Sequence, residues 1–345
     1  MRRMTKIIAA IALCLMALLS CTHKELCYHH PHTAGVRINV DWSKFDKEVP
    51  TGMTVLVYDE DGRRVTERLT HQTDHALFKL EEGLYHSIVY NQSATEFGTI
   101  SFRGMDDYRT ATVYTNNVST KWYTSKANEE RVGSAPEWIG ADNQENMEVT
   151  AEMVQTTTEH VINDKLRSSE KHFVIATHVP QNLIYKVYVK VHLNRIYNLK
   201  SARASMTGLA EGYVFHRSEP TESIVTQLLE NWSLYRDDTD PMKGYITTCI
   251  TCFGLPYGHD GRPEANLFTL SVLLVDSKTM LNFPFNVGDK FRKRVVDGVE
   301  QEMEYEIELI VNDELPDVPP EGGSGGGFDA IVDDWGEEQN VEIPL

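Results

Sequence analysis

Sequence motifs of enzymes are scarce in this chain of 345 residues. No HExxH, GxSxG, P-loop or GxGxxG pattern occurs in a suitable setting, because the only glycine-rich run, 322–327, follows a proline-rich stretch instead of lying between a strand and a helix. Carboxylates are abundant, but no pair of them stands out from a solvated surface. The sequence therefore predicts neither an enzyme nor a bound cofactor.

Positive charge is also in short supply. There are 33 Lys and Arg residues against 51 Asp and Glu residues, which gives a formal net charge of −18. Nucleic-acid binding depends on clustered Lys and Arg side chains that release counterions, so the composition disfavours a nucleic-acid partner. A soluble and mutually repelling surface is the direct consequence.

The five cysteines are too few and too uneven for a disulfide framework. Cys14 and Cys21 belong to the leader described below, so Cys27, Cys249 and Cys252 remain. The Cys249-Ile-Thr-Cys252 spacing is that of a redox or zinc half-site, but its β-branched surroundings indicate a strand, where residues three apart face opposite sides. We expect structural thiols, with a local disulfide or a metal site as alternatives.

Long apolar runs are missing except near the N-terminus. The run Ile7–Leu19 follows Arg2, Arg3 and Lys6, which is the order of a secretory signal, and it is too short to span a bilayer. The signal ends in Leu-Leu-Ser-Cys21, which resembles a bacterial lipobox with Cys21 as the acylated mature N-terminus; an ordinary signal peptide is the alternative. Acyl chains contribute roughly 0.8 kcal/mol per buried methylene, so we expect a stable lipid anchor.

A short polar leader, 22–34, follows this cysteine. Its histidines His29, His30 and His32 are weak metal candidates, because close imidazoles suit copper or zinc. Real metal sites also need hydrogen-bond partners that fix the ligands, and nothing nearby supplies them. We therefore predict a tether and no metal site.

Period-two patterns dominate the following 130 residues. Val36, Ile38 and Val40 alternate with polar residues, as in a half-buried strand, and Asp61-Gly62 is typical of a hairpin turn. Short strands at this spacing favour an antiparallel sandwich. Within this half we expect a loop or peripheral segment over 133–146, a strand over 146–158 and a domain boundary in the charged stretch 163–171.

The clearest strand of the sequence is Tyr185–Asn194, in which Val187, Val189, Val191 and Leu193 occupy one face. Further strand patterns follow it and indicate a second sandwich. Only Glu222–Leu234 is predicted as a short helix, because Ile224, Leu228 and Trp232 recur at near-helical spacing.

The C-terminal tail differs from both halves. A Pro- and Gly-rich hinge precedes a final segment with strand pattern. The glycines of the hinge would allow this segment to pair with a strand of the same chain or of a neighbouring molecule. The predicted partner-strand residues of this segment are Phe328, Ile331, Trp335, Val341 and Ile343. The predicted organisation is a signal peptide 1–20, a lipidated tether 21–34, β-sandwiches over 35–165 and 166–318, a hinge 319–327 and a strand segment 328–345.

Three motifs carry a resemblance to a known family. They are the leader Cys27–His32 running into a strand with Asp41-Trp42, the segment Ala204–Gly212, and the closing Gly327–Trp335. In these motifs the chain resembles a DUF5119-like family of Bacteroidetes lipoproteins of unassigned function, which is related to the fimbrillin superfamily and to FimB/Mfa2-type fimbrial anchor subunits.

The resemblance implies an all-β protein with two tandem transthyretin-like antiparallel β-sandwich domains. It also implies a lipid-anchored, surface-exposed place at the cell outer membrane, and a role as fimbrial anchor or minor subunit in pilus assembly and adhesion. Fimbrial subunits would be the partners, joined by β-strand addition. Stalk subunits of such pili are cleaved after a basic residue. Arg37 lies inside a predicted strand and favours an anchor or cap subunit, while Lys47 and Arg63-Arg64 leave a stalk subunit open.

A glycan-binding surface lipoprotein of a polysaccharide-uptake system is the alternative function. Aromatic side chains stack on sugars, although buried sandwich aromatics would explain the same residues equally well. The aromatic candidates are Trp42, Trp122, Tyr123, Trp138, Trp232 and Trp335.

Overall fold

The computed structural model describes residues 32–123, 130–163 and 172–320, without the side chains of 158–163. More than half of these residues lie in strands, which are arranged in several mainly antiparallel sheets. The predicted all-β class with tandem β-sandwiches is confirmed.

Within the described residues, the first half of the chain contains eight strands and one α-helix. They are β1 Ala34–Val40, β2 Met53–Asp59, β3 Arg64–Thr70, β4 His75–Leu80, β5 Gly83–Asn91, β6 Ile100–Arg103, β7 Thr112–Thr115, β8 Gly140–Val149 and helix α1 Ala151–Asn163.

The described residues from 172 to 320 add thirteen strands. They are β9 Phe173–His178, β10 Gln181–Asn182, β11 Tyr185–Asn194, β12 Leu199–Ala210, β13 Gly212–Val214, β14 Glu219–Pro220, β15 Ile224–Leu229, β16 Ser233–Arg236, β17 Lys243–Cys252, β18 Leu267–Leu274, β19 Met280–Asn286, β20 Arg292–Val296 and β21 Val299–Glu314.

These strands form five sheets, whose hydrogen-bonded orders are β4-β1-β9, β10-β8-β5-β2-β3, β14-β13-β7-β6, β16-β17-β11-β21-β20 and β15-β12-β18-β19. Strands from beyond residue 172 thus join sheets of the first half: β10 pairs with β8 and β13 pairs with β7. The predicted domain boundary near 163–171 stays a prediction.

The chain divides into two compact units. The described part of the smaller one comprises 32–36, 78–82, 149–163 and 172–173. Its helix α1 follows Thr150, whose Oγ1 accepts a hydrogen bond from the Met153 amide at 3.3 Å and so caps the first turn. The Gly35 amide donates to Thr157 Oγ1 at 3.4 Å, which ties the start of β1 to the helix.

The described part of the larger unit comprises 37–77, 83–123, 130–148 and 174–320, and it contains two apolar cores. The first core is built on β2 and β5 by residues such as Leu56 and Ile88, and it also takes in Ile184, Phe215 and Phe253 from the second half. These late residues explain why β10 and β13 belong to sheets of the first half.

The second core lies between the five-stranded sheet of β11 and the four-stranded sheet of β12. In β11, Val187, Val189, Val191 and Leu193 are at most 2% exposed, so the predicted one-face-buried strand is confirmed. Strand β11 is a central strand of its sheet, because it pairs antiparallel with β17 on one side and parallel with β21 on the other.

The predicted helix over Glu222–Leu234 is wrong. The segment contains β15 and the start of β16. Ile224 is 54% exposed at the start of β15, whereas Trp232 is buried in the turn that follows it. Ile224 and Trp232 recur at near-helical spacing in the sequence, but they do not lie on a common face in the structure.

Two other expectations in the first half are only partly correct. Strand β8 begins inside the predicted loop 133–146, and helix α1 occupies most of the predicted strand 146–158. Threonine and valine in this stretch favour strands by propensity, but the cap from Thr150 and an acidic first turn at Glu152 favour the helix.

Candidate functional site

Most of the predicted site residues lie outside the described residues. Lipidation at Cys21, the weak metal candidates His29 and His30, and the partner-strand residues Phe328, Ile331, Trp335, Val341 and Ile343 therefore stay predictions. His32 is exposed at the first described position.

Grouped metal ligands and membrane-spanning helices are both missing from the described residues, 32–123, 130–163 and 172–320. In these three ranges, no group of three or more His, Cys, Asp or Glu side chains is placed to hold a metal ion. Among the helices of the same ranges, none is sufficiently long and apolar to cross a membrane.

The Cys249–Cys252 pair is unbonded, and the strand register places the two thiols on opposite faces of β17, as expected. Cys249 is exposed on the outer face, whereas Cys252 is fully buried in the core. Burial raises the pKa of the Cys252 thiol to about 12, so this side chain remains a neutral packing group.

The family motifs serve structural purposes where they are described. Asp41 accepts a hydrogen bond from the Ser43 amide at 3.0 Å and caps a 3-10 turn, and the buried Trp42 donates to Thr73 O at 2.8 Å. Gly208 has a φ of +77°, and a Cβ there would lie 2.3 Å from Ala265 O. Only glycine fits that position without strain.

Glu211, in the same motif, is a buried carboxylate held by two arginines. Arg103 donates to both of its oxygens at 3.1 Å, Arg131 forms a second ion pair, and Ser223 Oγ donates a hydrogen bond to it. The side chain is only 3% exposed. The next residue, Gly212, lies so close to β7 that a Cβ would be 2.1 Å from Val113 O. The motif thus fixes the start of β13 against the first-half strand β7.

A Ser-His-Asp arrangement lies in the first half. Ser87 on β5 lies 2.7 Å from His178 Nε2, and His178 Nδ1 lies 3.0 Å from Asp142 Oδ2 on β8. The Val179 amide also donates to Asp142, at 2.9 Å. Burial opposes ionisation of Asp142, yet the hydrogen bonds from His178 and Val179 hold the pKa of its carboxyl below the usual value. Sequence reasoning missed this group because its members are 36 to 91 residues apart.

This arrangement lacks what hydrolysis requires. Ser87 and His178 are both 0% exposed, so a substrate cannot reach the hydroxyl, and Ser87 Oγ lies 3.2 Å from the Met147 sulfur. A nucleophile must reach the scissile carbonyl beside oxyanion donors. The geometry therefore supports a buried polar network that joins β5, β8 and the end of β9.

The outer face of the five-stranded sheet presents a row of rings across neighbouring strands. Tyr235, Tyr245, His192 and Ile310 lie opposite one another on β16, β17, β11 and β21. The Tyr235 and Tyr245 rings stack at 5.0 Å with planes 17° apart, and Lys190 Nζ lies 4.5 Å from the Tyr245 centroid. Hydrogen bonds from His192 and Lys190 hold the pKa of the neighbouring Glu308 below its usual value.

A cavity of about 470 Å³ opens beside this row. Tyr245, His192 and Ile310 form one side, and the turn between β16 and β17 forms another through Asp237 and Asp238. Asp237 is committed to that turn, because its Oδ1 accepts from the Thr239 amide and hydroxyl at 2.8 and 2.6 Å.

The aromatic residues proposed from sequence for sugar stacking are mostly engaged elsewhere. Trp42 and Trp232 are buried, and Trp335 lies outside the described residues. Trp122 and Tyr123 are half-buried and donate hydrogen bonds to Glu230 and Glu130, respectively. Trp138 is half-buried under Lys47, whose Nζ lies 3.9 Å from the ring centroid. Tyr235 and Tyr245 of the outer row are not among these candidates for sugar stacking, although the alternating side chains of β11 and β17 place one face of each strand outward.

Two features of the described sheets bear on assembly. Arg37 lies inside β1, which is the central strand of its sheet, and its guanidinium contacts Asp74 at 3.5 Å. At the edge of another sheet, β3 has every residue exposed or half-exposed, including Val65 at 49% and Leu69 at 58%. An edge strand of this kind presents unpaired backbone groups and accessible apolar side chains.

Comparisons with known proteins agree with the motifs. Over 96% of both chains, the sequence is 22% identical to a Bacteroides ovatus protein named "Putative fimbrium anchoring subunit Fim4B". A crystal structure described as a putative adhesin from Bacteroides ovatus superposes with a TM-score of 0.56 at 17% identity, covering 87% of this chain and 99% of the other, which shows a shared fold. The fimbrial anchor protein Mfa2 from Porphyromonas gingivalis gives a TM-score of 0.42 at 13% identity, covering 81% and 90%.

The model of the family described as "Domain of unknown function (DUF5119)" matches residues 20–230. This match covers more than half of the chain and includes two of the three motifs on which the resemblance was based. The chain therefore belongs to the DUF5119 family.

Proposed function

We propose that this protein is an anchor or minor subunit of a fimbrium, acting in pilus assembly and cell adhesion. In this proposal a lipid on Cys21 holds it at the outer membrane, and other fimbrial subunits join it by β-strand addition. The observation that carries the proposal is the similarity over 96% of both chains to a protein named a fimbrium anchoring subunit. A match along the whole length favours the same kind of subunit over a shared single domain.

The position of β1 supports an anchor over a cleaved stalk subunit. Since β1 has hydrogen-bonded strands on both sides, cleavage after Arg37 would remove half of a central strand. The other basic positions are less protected: Arg63 and Arg64 are exposed at a hairpin, and Lys47 lies in an irregular segment over Trp138. Retention of β1 keeps the fold connected to the predicted tether.

Strand β3 is the edge at which we place an incoming strand. Two other sheet edges are less accessible: Pro284 removes a backbone donor from β19, and the Thr226 amide and carbonyl of β15 bond Arg131 O and Gly133 N. From Val65 onward, β3 offers its backbone and the Val65 and Leu69 side chains, which suits β-augmentation.

The test is a pull-down of the tagged protein from its native membrane after strong detergent washing, with mass spectrometry of what co-purifies. Strand-exchanged subunits should survive the wash, because buried strand pairings release slowly. Leu69→Asp should sharply reduce the pilin recovered, while Val299→Asp, at a residue 62% exposed on β21, should not. Recovery of a transporter or glycan-binding lipoproteins in place of pilins would contradict the proposal.

Two further variants test the anchor and the tail. Cys21→Ala should move the protein from the membrane fraction to the soluble fraction, and persistence in the membrane would contradict lipidation. Deletion of 328–345 should either destabilise the second sandwich or abolish assembly with the fold intact. If neither stability nor assembly changes, the tail has no part in strand addition.

A further inference from the structure

We propose that the cavity beside the outer-face row is a binding site for a neutral oligosaccharide. This site is separate from strand addition, because it lies on a sheet face and not at the β3 edge. It gives the protein a ligand-binding activity that a fimbrial anchor does not require. Each part of the proposal follows from the residues that line the cavity and from those next to it.

The size and setting of the cavity suit a small ligand. Its volume of about 470 Å³ falls within the range of roughly 300–1,000 Å³ that is usual for ligand sites. The row beside it crosses four adjacent strands, which at a spacing of about 4.8 Å makes it about 14 Å long. A ligand seated in the cavity can therefore extend along the row, as a chain of several sugar rings would.

The polar groups of the cavity call for a ligand that both donates and accepts hydrogen bonds. Neither the Asp238 carboxylate nor the Asn194 amide makes a side-chain hydrogen bond within the described residues, and both line the cavity. The carboxylate can only accept, whereas the amide can donate and accept. Hydroxyl groups satisfy both, because each hydroxyl donates one hydrogen bond and accepts others. A cationic ligand would satisfy Asp238 alone.

The apolar groups fit the carbon-bound faces of a sugar. Ile310 is 62% exposed, and it lines the cavity together with the Tyr245 ring. Tyr235, 48% exposed on the edge strand β16, continues the row beyond the cavity. Tyrosine combines an apolar ring with a polar hydroxyl, so it contacts both kinds of sugar surface.

The charges select against acidic sugars. The ionisable groups of the lining are Asp237, Asp238, Lys243 and His192, so two carboxylates face one ammonium and the net charge is −1 with neutral histidine. Lys243 is further engaged by Asp240 at 3.2 Å. An anionic ligand would meet an uncompensated carboxylate. A neutral oligosaccharide is the class that agrees with the volume, the hydrogen bonds and the charge together.

The test is binding of the purified full chain to an array of neutral and acidic oligosaccharides, followed by calorimetry on each glycan bound. We expect a neutral glycan to bind and Asp238→Ala to weaken it by about tenfold, a loss equivalent to about 1.4 kcal/mol. Tyr245→Ala should weaken it comparably. Asp238 is exposed in a turn, so its variant tests the site without disturbing the core.

Tyr188→Ala is the matched control, because Tyr188 is a half-buried tyrosine on the same face of β11 but does not line the cavity. It should bind like the unmodified protein. The proposal is overturned if no oligosaccharide on the array binds, if only acidic ones do, if Asp238→Ala binds normally, or if Tyr188→Ala loses as much affinity as Asp238→Ala. Loss of glycan binding by Asp238→Ala with normal recovery of pilins would also separate this site from fimbrial assembly.

Discussion

Replacement of His178 by alanine should be among the most destabilising single changes in the first half of the chain. The imidazole is fully buried and bridges Ser87 and Asp142 at 2.7 and 3.0 Å. Removal of a large core side chain costs about 2–5 kcal/mol, and each orphaned polar partner adds roughly 1–3 kcal/mol. Because Asp142 keeps the Val179 amide and Ser87 keeps its contact with Met147, we expect a total loss of about 4 kcal/mol.

Such a loss is a large share of a typical net stability of about 5–15 kcal/mol. The measurement is urea unfolding at neutral pH, followed by tryptophan fluorescence. His178→Ala should lower the midpoint strongly, whereas His71→Ala, at an exposed position, should change the free energy of unfolding by less than about 0.5 kcal/mol. Similar midpoints for the two variants would refute the idea that the buried network stabilises the fold.

Four further outcomes are expected. A fluorophosphonate probe should not label Ser87 in the folded protein, because its hydroxyl is buried; stoichiometric labelling lost in Ser87→Ala would reveal a hydrolase. Folding lowers the pKa of the Asp142 carboxyl. Its stabilising contribution is therefore complete above about pH 4, the pKa of the unfolded state, and is lost as the pH falls through the pKa of the folded state. In Asp142→Asn, the free energy of unfolding should depend less on pH in that window. Glu211→Gln should cost about 1–3 kcal/mol in urea unfolding, because Arg103 and Arg131 lose a charged partner but stay in contact with water, at 45% and 36% exposed, while exposed Glu222→Gln should cost little. Gly212→Ala should lower the melting temperature by several degrees, because its methyl group would overlap Val113 O; an unchanged melting temperature would show that β7 and β13 can separate freely.

Some of the fold was readable from sequence because one physical signal dominated. In β11, alternating valines and polar residues match a strand with one buried face, and the structure agrees residue by residue. The opposite orientation of Cys249 and Cys252 followed from the same period of two. Such signals are local, so a single sequence is sufficient to interpret them.

Other features depend on contacts between distant segments, which periodicity does not report. The near-helical spacing of Ile224 and Trp232 arises from a strand followed by a buried turn residue. The sequence does not distinguish Glu211 from a surface carboxylate, because Arg103 and Arg131, which pair with it, lie far away along the chain. The cavity likewise needs Asp238 and Ile310, which belong to strands or turns that are far apart in sequence.

The central position of β1 has a mechanical consequence for the proposed anchor. If the lipid is attached at Cys21, tension on a pilus would be applied at the N-terminal end of β1, along the axis of that strand. Because β4 and β9 flank it on both sides, the hydrogen bonds of both ladders would be loaded together in shear. An edge strand would instead be peeled away one bond at a time, so this placement resists extraction under force.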